Sequence, residues 1–240
     1  MDQLLIALDV ESAARGLELA DTLRGVAGGF KIGSRLFTSE GPPVVRALVE
    51  RGDRVFLDLK FHDIPNTVGT AVAAATSLGV WMVNVHASGG TRMMQAARDG
   101  AAESAARAGR PRPIVIAVTV LTSMNAAALA EGNVNAPVMD QVVRLARLAQ
   151  DAGLDGVVAS PQETAVIRRE CGPDFAIVTP GIRGGRAAVS GKDDQERTMS
   201  PGEAIAAGAS YIVVGRPIIA AADPRGAAEA IAAEGLRLKG

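Results

Sequence analysis

Eight short apolar runs recur along the chain: LLIALD (4–9), GFKIG (29–33), RVFLDLK (54–60), VWMVNVH (80–86), PIVIAVT (113–119), DGVVAS (155–160), FAIVTP (175–180) and YIVVGR (211–216). Runs this short, rich in Val and Ile and lacking strict alternation, predict strands buried on both faces, as in a parallel sheet. Between them lie longer Ala-rich stretches with apolar residues at helical spacing. Examples are SAARGLELADTLRG (12–25), TRMMQAARDGAAESAARAG (91–109) and VMDQVVRLARLAQDAG (138–153). Several open on a Ser, Thr or Asp that can cap a helix and close on a Gly that can end one. Strand and helix therefore alternate along the chain, which predicts an α/β fold with a parallel sheet.

The count of strands narrows the architecture. From Asp9, ending the first run, to Gly215, in the last, the chain advances about 29 residues per unit, close to the roughly 31 of an eight-unit barrel of about 250 residues. A doubly wound open sheet of about six strands leaves two runs unexplained. No Pro/Ser-rich linker interrupts the series. The expectation is one domain over residues 1–240, a (β/α)8 TIM barrel. Asp9, Asp58, Lys60, His86, Thr119, Ser160 and Arg216 fall at or just past the carboxyl ends of predicted strands, where such barrels carry their active sites. Two connections on that rim are long, Val120 to about Pro137 and Gly181 to about Pro201, as binding loops often are.

Composition removes several function classes. Aromatics are 3% of the chain, so the core is built from Ala, Val, Ile and Leu, and a stacking platform for single-stranded nucleic acid is not expected. The net charge is −1 with no basic block, so the electrostatic footprint of a nucleic-acid binder is missing. A lone cysteine, Cys171, excludes an internal disulfide and a multi-Cys metal cluster. The opening MDQLLIALDV has no basic n-region, and its apolar run is too short for a signal peptide or a span. A cytoplasmic protein with no membrane partner is expected.

The chemistry concentrates in Asp58-Leu59-Lys60-Phe61-His62-Asp63-Ile64-Pro65-Asn66-Thr67, which leaves the third run and enters a helix. Two apart on a strand, Asp58 and Lys60 share one face, either the barrel lumen or the helix side. In the lumen they are a buried charged pair, which costs several kcal/mol per ion unless compensated. Such a pair is either part of a catalytic site or an ion pair plugging the barrel. Lys31 interrupts the apolar run GFKIG and can face the same site or snorkel outward between helices. Asp9 can join them or cap the following helix. Lys31, Asp58, Lys60 and Asp63 together make two ammonium and two carboxylate groups, which keeps the lysines protonated, as a proton donor requires. His62 and His86 lack companions at ligand spacing, so they are read as hydrogen-bonded structural groups and no metal site is expected. Trp81, Met93 and Met94 read as packing.

FLDLKFHDIPNTV resembles the central motif of the orotidine 5′-phosphate decarboxylases, Asp-x-Lys-x-x-Asp followed closely by Thr. LDV (8–10), FKIG (30–33), HASGG (86–90), TVLTSM (119–124), TPGIR (179–183), DQERTMSP (194–201) and VVGRPI (213–218) fall in the family's order, so the resemblance spans the chain. It implies a cofactor-free decarboxylation of orotidine 5′-monophosphate to uridine 5′-monophosphate. It makes Lys60 the proton donor to C6, places Asp58 beside the substrate carboxylate, and has Lys31 bond Asp58 and the ribose hydroxyls. Asp9 is implied for ribose. Thr122 is implied for the pyrimidine, with the hydroxyl of Ser123 an adjacent alternative. Asp63 and Thr67 are implied to enter the neighbouring subunit's site, which makes a homodimer with shared sites.

The same resemblance assigns the phosphate to Arg183, Gln195, Gly215 and Arg216. The eighth strand of a barrel commonly binds phosphate with backbone N–H groups and a planar cation, which supports the last two on physical grounds. The stretch between Arg183 and Gln195 is longer than the family's usual spacing. Gln195 is chosen from its Asp-Gln-x-Arg context, against a surface glutamine, and Arg183 against an ion pair with the acidic loop. Two other readings differ in class. A metal-dependent sugar-phosphate decarboxylase or aldolase can carry the same Asp-x-Lys-x-x-Asp strand, but its second strand bears an acidic residue where this chain has Lys31. A non-catalytic binding barrel has no use for two buried lysines.

Overall fold

All eight apolar runs form parallel strands in the computed structural model, which describes residues 2–182 and 199–237. They are β1 (Leu4–Ala7), β2 (Gly29–Gly33), β3 (Val55–Phe61), β4 (Met82–His86), β5 (Ile114–Val118), β6 (Gly156–Val158), β7 (Ala176–Thr179) and β8 (Tyr211–Val214). Neighbours in sequence are neighbours in the sheet, and β8 returns to β1 through Leu5↔Val213 to close the barrel. This is the predicted (β/α)8 architecture. Helices occupy the intervals, among them Ala13–Leu23, Pro65–Ser77, Thr91–Ala108 and Val138–Asp151.

Side-chain alternation divides the apolar residues into two layers. Leu5, Ala7, Phe56, Met82, Ile116, Val178 and Val213 fill the lumen as one cluster. The residues between them, such as Leu4, Ile6, Phe30, Ile32, Leu57, Val83, Val115 and Ile177, join the larger core beneath the helices. Burying each large side chain contributes about 1.5–3 kcal/mol, so the lumen is a packed plug and not a channel. Trp81 meets Tyr211 edge to face at 5.2 Å beside this plug, with the Arg54 guanidinium 5.6 Å from the Trp81 ring centre. The inward series of β2 and β3 then runs on to Lys31 and Asp58, and that of β4 to Asn84. An apolar floor thus lies under a polar rim.

Several boundaries differ from the sequence reading. β1 stops at Ala7 and β8 at Val214, so Asp9 and Arg216 lie beyond the ladders; Arg216 instead opens the short helix Arg216–Ile219. The connection after Val120 is not plain loop. It holds the helix Ala126–Glu131, capped by Asn125, whose side chain accepts from Ala128 N at 3.0 Å. Ser12 caps its helix as expected, but Thr91 is the first residue of its helix and Gly90 the cap. No helix among the described residues is long and apolar enough to cross a membrane.

Candidate active site

β3 does not stay regular where its charges begin. Leu57 pairs with Val83 and Phe61 with Val85, so Asp58, Leu59 and Lys60 stand opposite Asn84 alone. The excess chain bulges, and Lys60 takes φ = 53°, a left-handed conformation that costs a non-glycine residue about 1–3 kcal/mol. Its N–H, displaced from the ladder, donates to Asn84 Oδ1 at 2.8 Å. Asp58 and Lys60 meet as the spacing suggested, but through this bulge and not through flat alternation.

The result is a chain of charges across three strands and the loop after β1. Lys60 Nζ donates to Asp58 Oδ1 at 2.6 Å, and Asn84 Nδ2 donates to the same oxygen at 2.7 Å. Lys31 Nζ lies 3.5 Å from Asp58 Oδ2 and donates to Asp9 Oδ1 at 3.0 Å. Lys31 and Asp58 are only 7% and 9% exposed, and Asn84 is wholly buried. Burial alone pushes the Asp58 carboxyl up, but the Lys31 and Lys60 charges and the hydrogen bonds from Lys60 and Asn84 hold it below the ordinary carboxylate range. The Lys60 side chain keeps 35% of its surface exposed against 9% for Lys31. Of the two ammonium groups it is the one that a molecule entering from the rim meets first.

The second carboxylate in this cluster is Asp9, not Asp63. Asp63 is exposed and turns its Oδ1 to the N–H of Ile64 at 2.6 Å. Thr67 is exposed in the first turn of Pro65–Ser77, and between them Ile64 leaves 67% of its surface uncovered. The sequence reading had put Lys31, Asp58, Lys60 and Asp63 into one neutral set. Within one chain β3 resumes its pairing at Phe61, the following residues His62–Ile64 are exposed, and Asp63 lies among them.

On the other side of the mouth, a Cβ on Gly215 would lie 3.4 Å from Ala7 Cβ and 3.6 Å from Asp9 Oδ2. The Gly215–Arg216 turn therefore adjoins the Asp9 end of the cluster, with Arg216 exposed. Thr122 is half-buried on the rim and Ser123 exposed. Arg183 and Gln195 lie outside the described residues; the chain flanking them is joined where Ile182 bridges Met199. Among the described residues no three His, Cys, Asp or Glu side chains gather as a metal-binding group.

Two site residues escaped the sequence reading. Asn84 stands in the run VWMVNVH as a polar residue in an otherwise apolar strand, two before His86, and that was its signal. Gly33 ends β2, where a Cβ would lie 2.8 Å from Lys31 Nζ and 3.3 Å from Asp9 Oδ1. Only glycine leaves the Lys31–Asp9 contact its room, and nothing in the sequence marks that. His86 was expected to be structural. Its ring lies 5.4 Å from that of His62. Burial, then His62 and Lys60, push its imidazole below the ordinary value against the opposing influence of Asp58.

Comparisons with known proteins agree across the chain. The family model described as Orotidine 5′-phosphate decarboxylase / HUMPS family matches residues 2–231. A Moorella thermoacetica protein named orotidine 5′-phosphate decarboxylase is 56% identical over 234 residues, covering 97% of this chain and 92% of its own. One of the same name from Syntrophotalea carbinolica is 54% identical over 232 residues, covering 97% and 94%. The crystal structure of orotidine 5′-phosphate decarboxylase from Lactobacillus acidophilus aligns with a TM-score of 0.85 at 38% identity, covering 97% of this chain and 98% of that one.

Proposed function

Because this chain belongs to the orotidine 5′-phosphate decarboxylase / HUMPS family, we propose that its 240 residues form one catalytic domain that decarboxylates orotidine 5′-monophosphate to uridine 5′-monophosphate, the last step of pyrimidine nucleotide synthesis. The observation that carries this reading is Lys31. It bridges Asp9 and Asp58 from β2 and so puts a cation where the metal-dependent sugar-phosphate branch, on the resemblance drawn above, carries an acidic residue.

Loss of carbon dioxide from C6 leaves an electron pair in the plane of the pyrimidine, where the ring cannot delocalise it. The site meets this electrostatically and without a cofactor. Lys60, already fixed against Asp58, lies beside C6, stabilises the developing carbanion and delivers a proton there as the carbon–carbon bond breaks. A charge preorganised in this way costs no reorganisation during the reaction. Asp58 lies beside the departing carboxylate, and the repulsion between them raises the ground state. Lys31 holds Asp58 and reaches the ribose with Asp9. Thr122 meets the pyrimidine. Gly215 and Arg216 take the phosphate together with Arg183 and Gln195, and phosphate binding remote from C6 supplies energy for closure around the reacting carbon.

Asp63 and Thr67 complete the partner's site in a cytoplasmic homodimer. Their turn supports this reading: Asp63 points out of its own cluster beside an exposed isoleucine, which suits a surface covered by a second copy. The test is loss of pyrimidine absorbance on adding orotidine 5′-monophosphate to chelator-treated protein. Full turnover is expected. No turnover, or turnover restored only by a divalent metal, would overturn the reading.

A further inference from the structure

Asn84 has no role in the chemistry above, yet it makes two contacts at the centre of the site. Its Oδ1 accepts the Lys60 N–H at 2.8 Å, and its Nδ2 donates to Asp58 Oδ1 at 2.7 Å. We propose that Asn84 is a positioning residue of the decarboxylation site: one end of its amide holds Lys60 in the left-handed conformation, and the other holds Asp58. The Lys60 ammonium and the Asp58 carboxylate are thereby set against each other before substrate arrives. The proposal rests on the function given above for its kinetic consequences, though not for its structural ones.

Three residues of β3 face Asn84 alone, so the Lys60 N–H has lost its ladder acceptor and needs another. At φ = 53° Lys60 lies in a region that a lysine leaves unless its surroundings hold it there. Asn84 is wholly buried, so water does not compete for either bond. A carboxamide supplies an acceptor and a donor on one short planar group. Leucine has the shape and neither function. Ionised aspartate has the acceptor but no donor, and glutamine is a methylene too long. This accounts for a polar residue inside an apolar strand.

Asn84→Leu and Asn84→Asp test it. In Asn84→Leu we expect kcat to fall ~100-fold or more with KM changed by less than ~3-fold, since the ribose and phosphate contacts lie elsewhere. Crystals of the variant should show Lys60 at negative φ with its ammonium off Asp58. In Asn84→Asp the introduced carboxylate still accepts from Lys60 N but repels Asp58, so kcat is low at neutral pH. Two carboxyl groups at this distance raise one pKa. Once protonated, the introduced group presents donor and acceptor where the amide did, so activity relative to the unsubstituted enzyme should climb as pH is lowered.

The other charged or titratable groups of the cluster are Asp9, Lys31, Asp58, Lys60, His62 and His86, and they are common to both proteins. The β5 register partner of position 84 is Ile116, which does not titrate. The ratio therefore isolates position 84. The proposal is overturned if Asn84→Leu keeps kcat within ~3-fold, if Lys60 holds its positive φ and its Asp58 contact without Asn84, or if the Asn84→Asp ratio is flat with pH. Should Asn84→Leu not fold, the ratio alone decides. Should the unsubstituted protein not decarboxylate, the function fails, while the Lys60 conformation in the variant crystals still tests the positioning.

Discussion

The Lys60 ammonium lies 2.6 Å from Asp58 Oδ1 although a single residue separates the two in the chain. β3 achieves this by abandoning regular pairing with β4 and turning Lys60 into a strained conformation. Strain of this kind persists where surrounding contacts over-determine it. Here Asn84 takes the Lys60 N–H, Lys31 neutralises the far oxygen of Asp58, and Asp9 balances Lys31. Each charge of the cluster is thus held by another group of the same chain.

Lys60→Ala is expected to fold normally. Asp58 keeps Lys31 and Asn84, and no core side chain is lost. If Lys60 is the charge at C6 and the proton donor, turnover should fall by at least ~10³-fold, because both vanish together. Thermal unfolding and kcat/KM on the same preparation check this. A variant retaining roughly a tenth of wild-type kcat/KM would remove Lys60 from the chemistry.

Asp58→Asn leaves two lysines at the top of the barrel with one carboxylate, Asp9, which is bonded to Lys31. Removing one member of a buried ion pair costs about 3–5 kcal/mol, and the lower end applies because Lys60 is partly exposed. The pH dependence has a definite sign. The folded-state pKa of Asp58 is depressed, so its stabilising contribution is present above the unfolded value of about 3.9 and is lost as pH falls through the lower folded value. Urea unfolding of both proteins should show a large gap at neutral pH that narrows as the solution is acidified below the ordinary carboxylate range. A gap independent of pH would mean that Asp58 contributes shape and not charge.

The barrel was legible because each strand is buried on both faces, and eight apolar runs averaging about 29 residues apart admit few other closures. Asp58, Lys60 and Lys31 were legible for the converse reason: charges inside apolar runs demand compensation. The bulge was not, because two extra residues in β3 preserve the inside–outside parity and so leave the hydrophobic pattern unchanged. Asn84 was passed over although it, too, is a polar residue in an apolar strand, since a neutral amide raises no question of charge balance. Gly33 had no signal at all. Its role is the space beside Lys31 Nζ, and only the fold creates that space. Asp63 lies in the same motif but outside this chain's cluster, because linear spacing does not show that the segment after Phe61 is exposed.

Arg216→Ala should leave the barrel intact, since Arg216 is exposed at the start of a short helix beyond β8. If it clamps the phosphate with the adjacent Gly215, kcat/KM for orotidine 5′-monophosphate falls by about 3 kcal/mol, as for a lost charge-assisted bidentate contact. A nucleoside substrate without phosphate should be almost indifferent to the change. Equal losses on the two substrates would show that Arg216 acts through the structure.

The shared site makes the sharpest claim on quaternary structure. If Asp63 works in the partner's cavity, Asp63→Ala and Lys60→Ala homodimers should each be nearly inactive. Mixing them and allowing subunits to exchange creates heterodimers in which one cavity collects both defects. The other cavity receives wild-type Lys60 from one chain and wild-type Asp63 from the other. Random exchange makes about half the dimers mixed, each with one intact site of two, so activity should recover to about a quarter of wild type. A two-fold interface makes this arithmetic possible, because each chain lends what it receives. If every site were built from one chain, no mixture would contain an intact one. Exchange can be followed independently by native mass spectrometry of differently tagged chains. Confirmed exchange without recovery would sink the shared site and leave the chemistry assigned to Lys60 untouched.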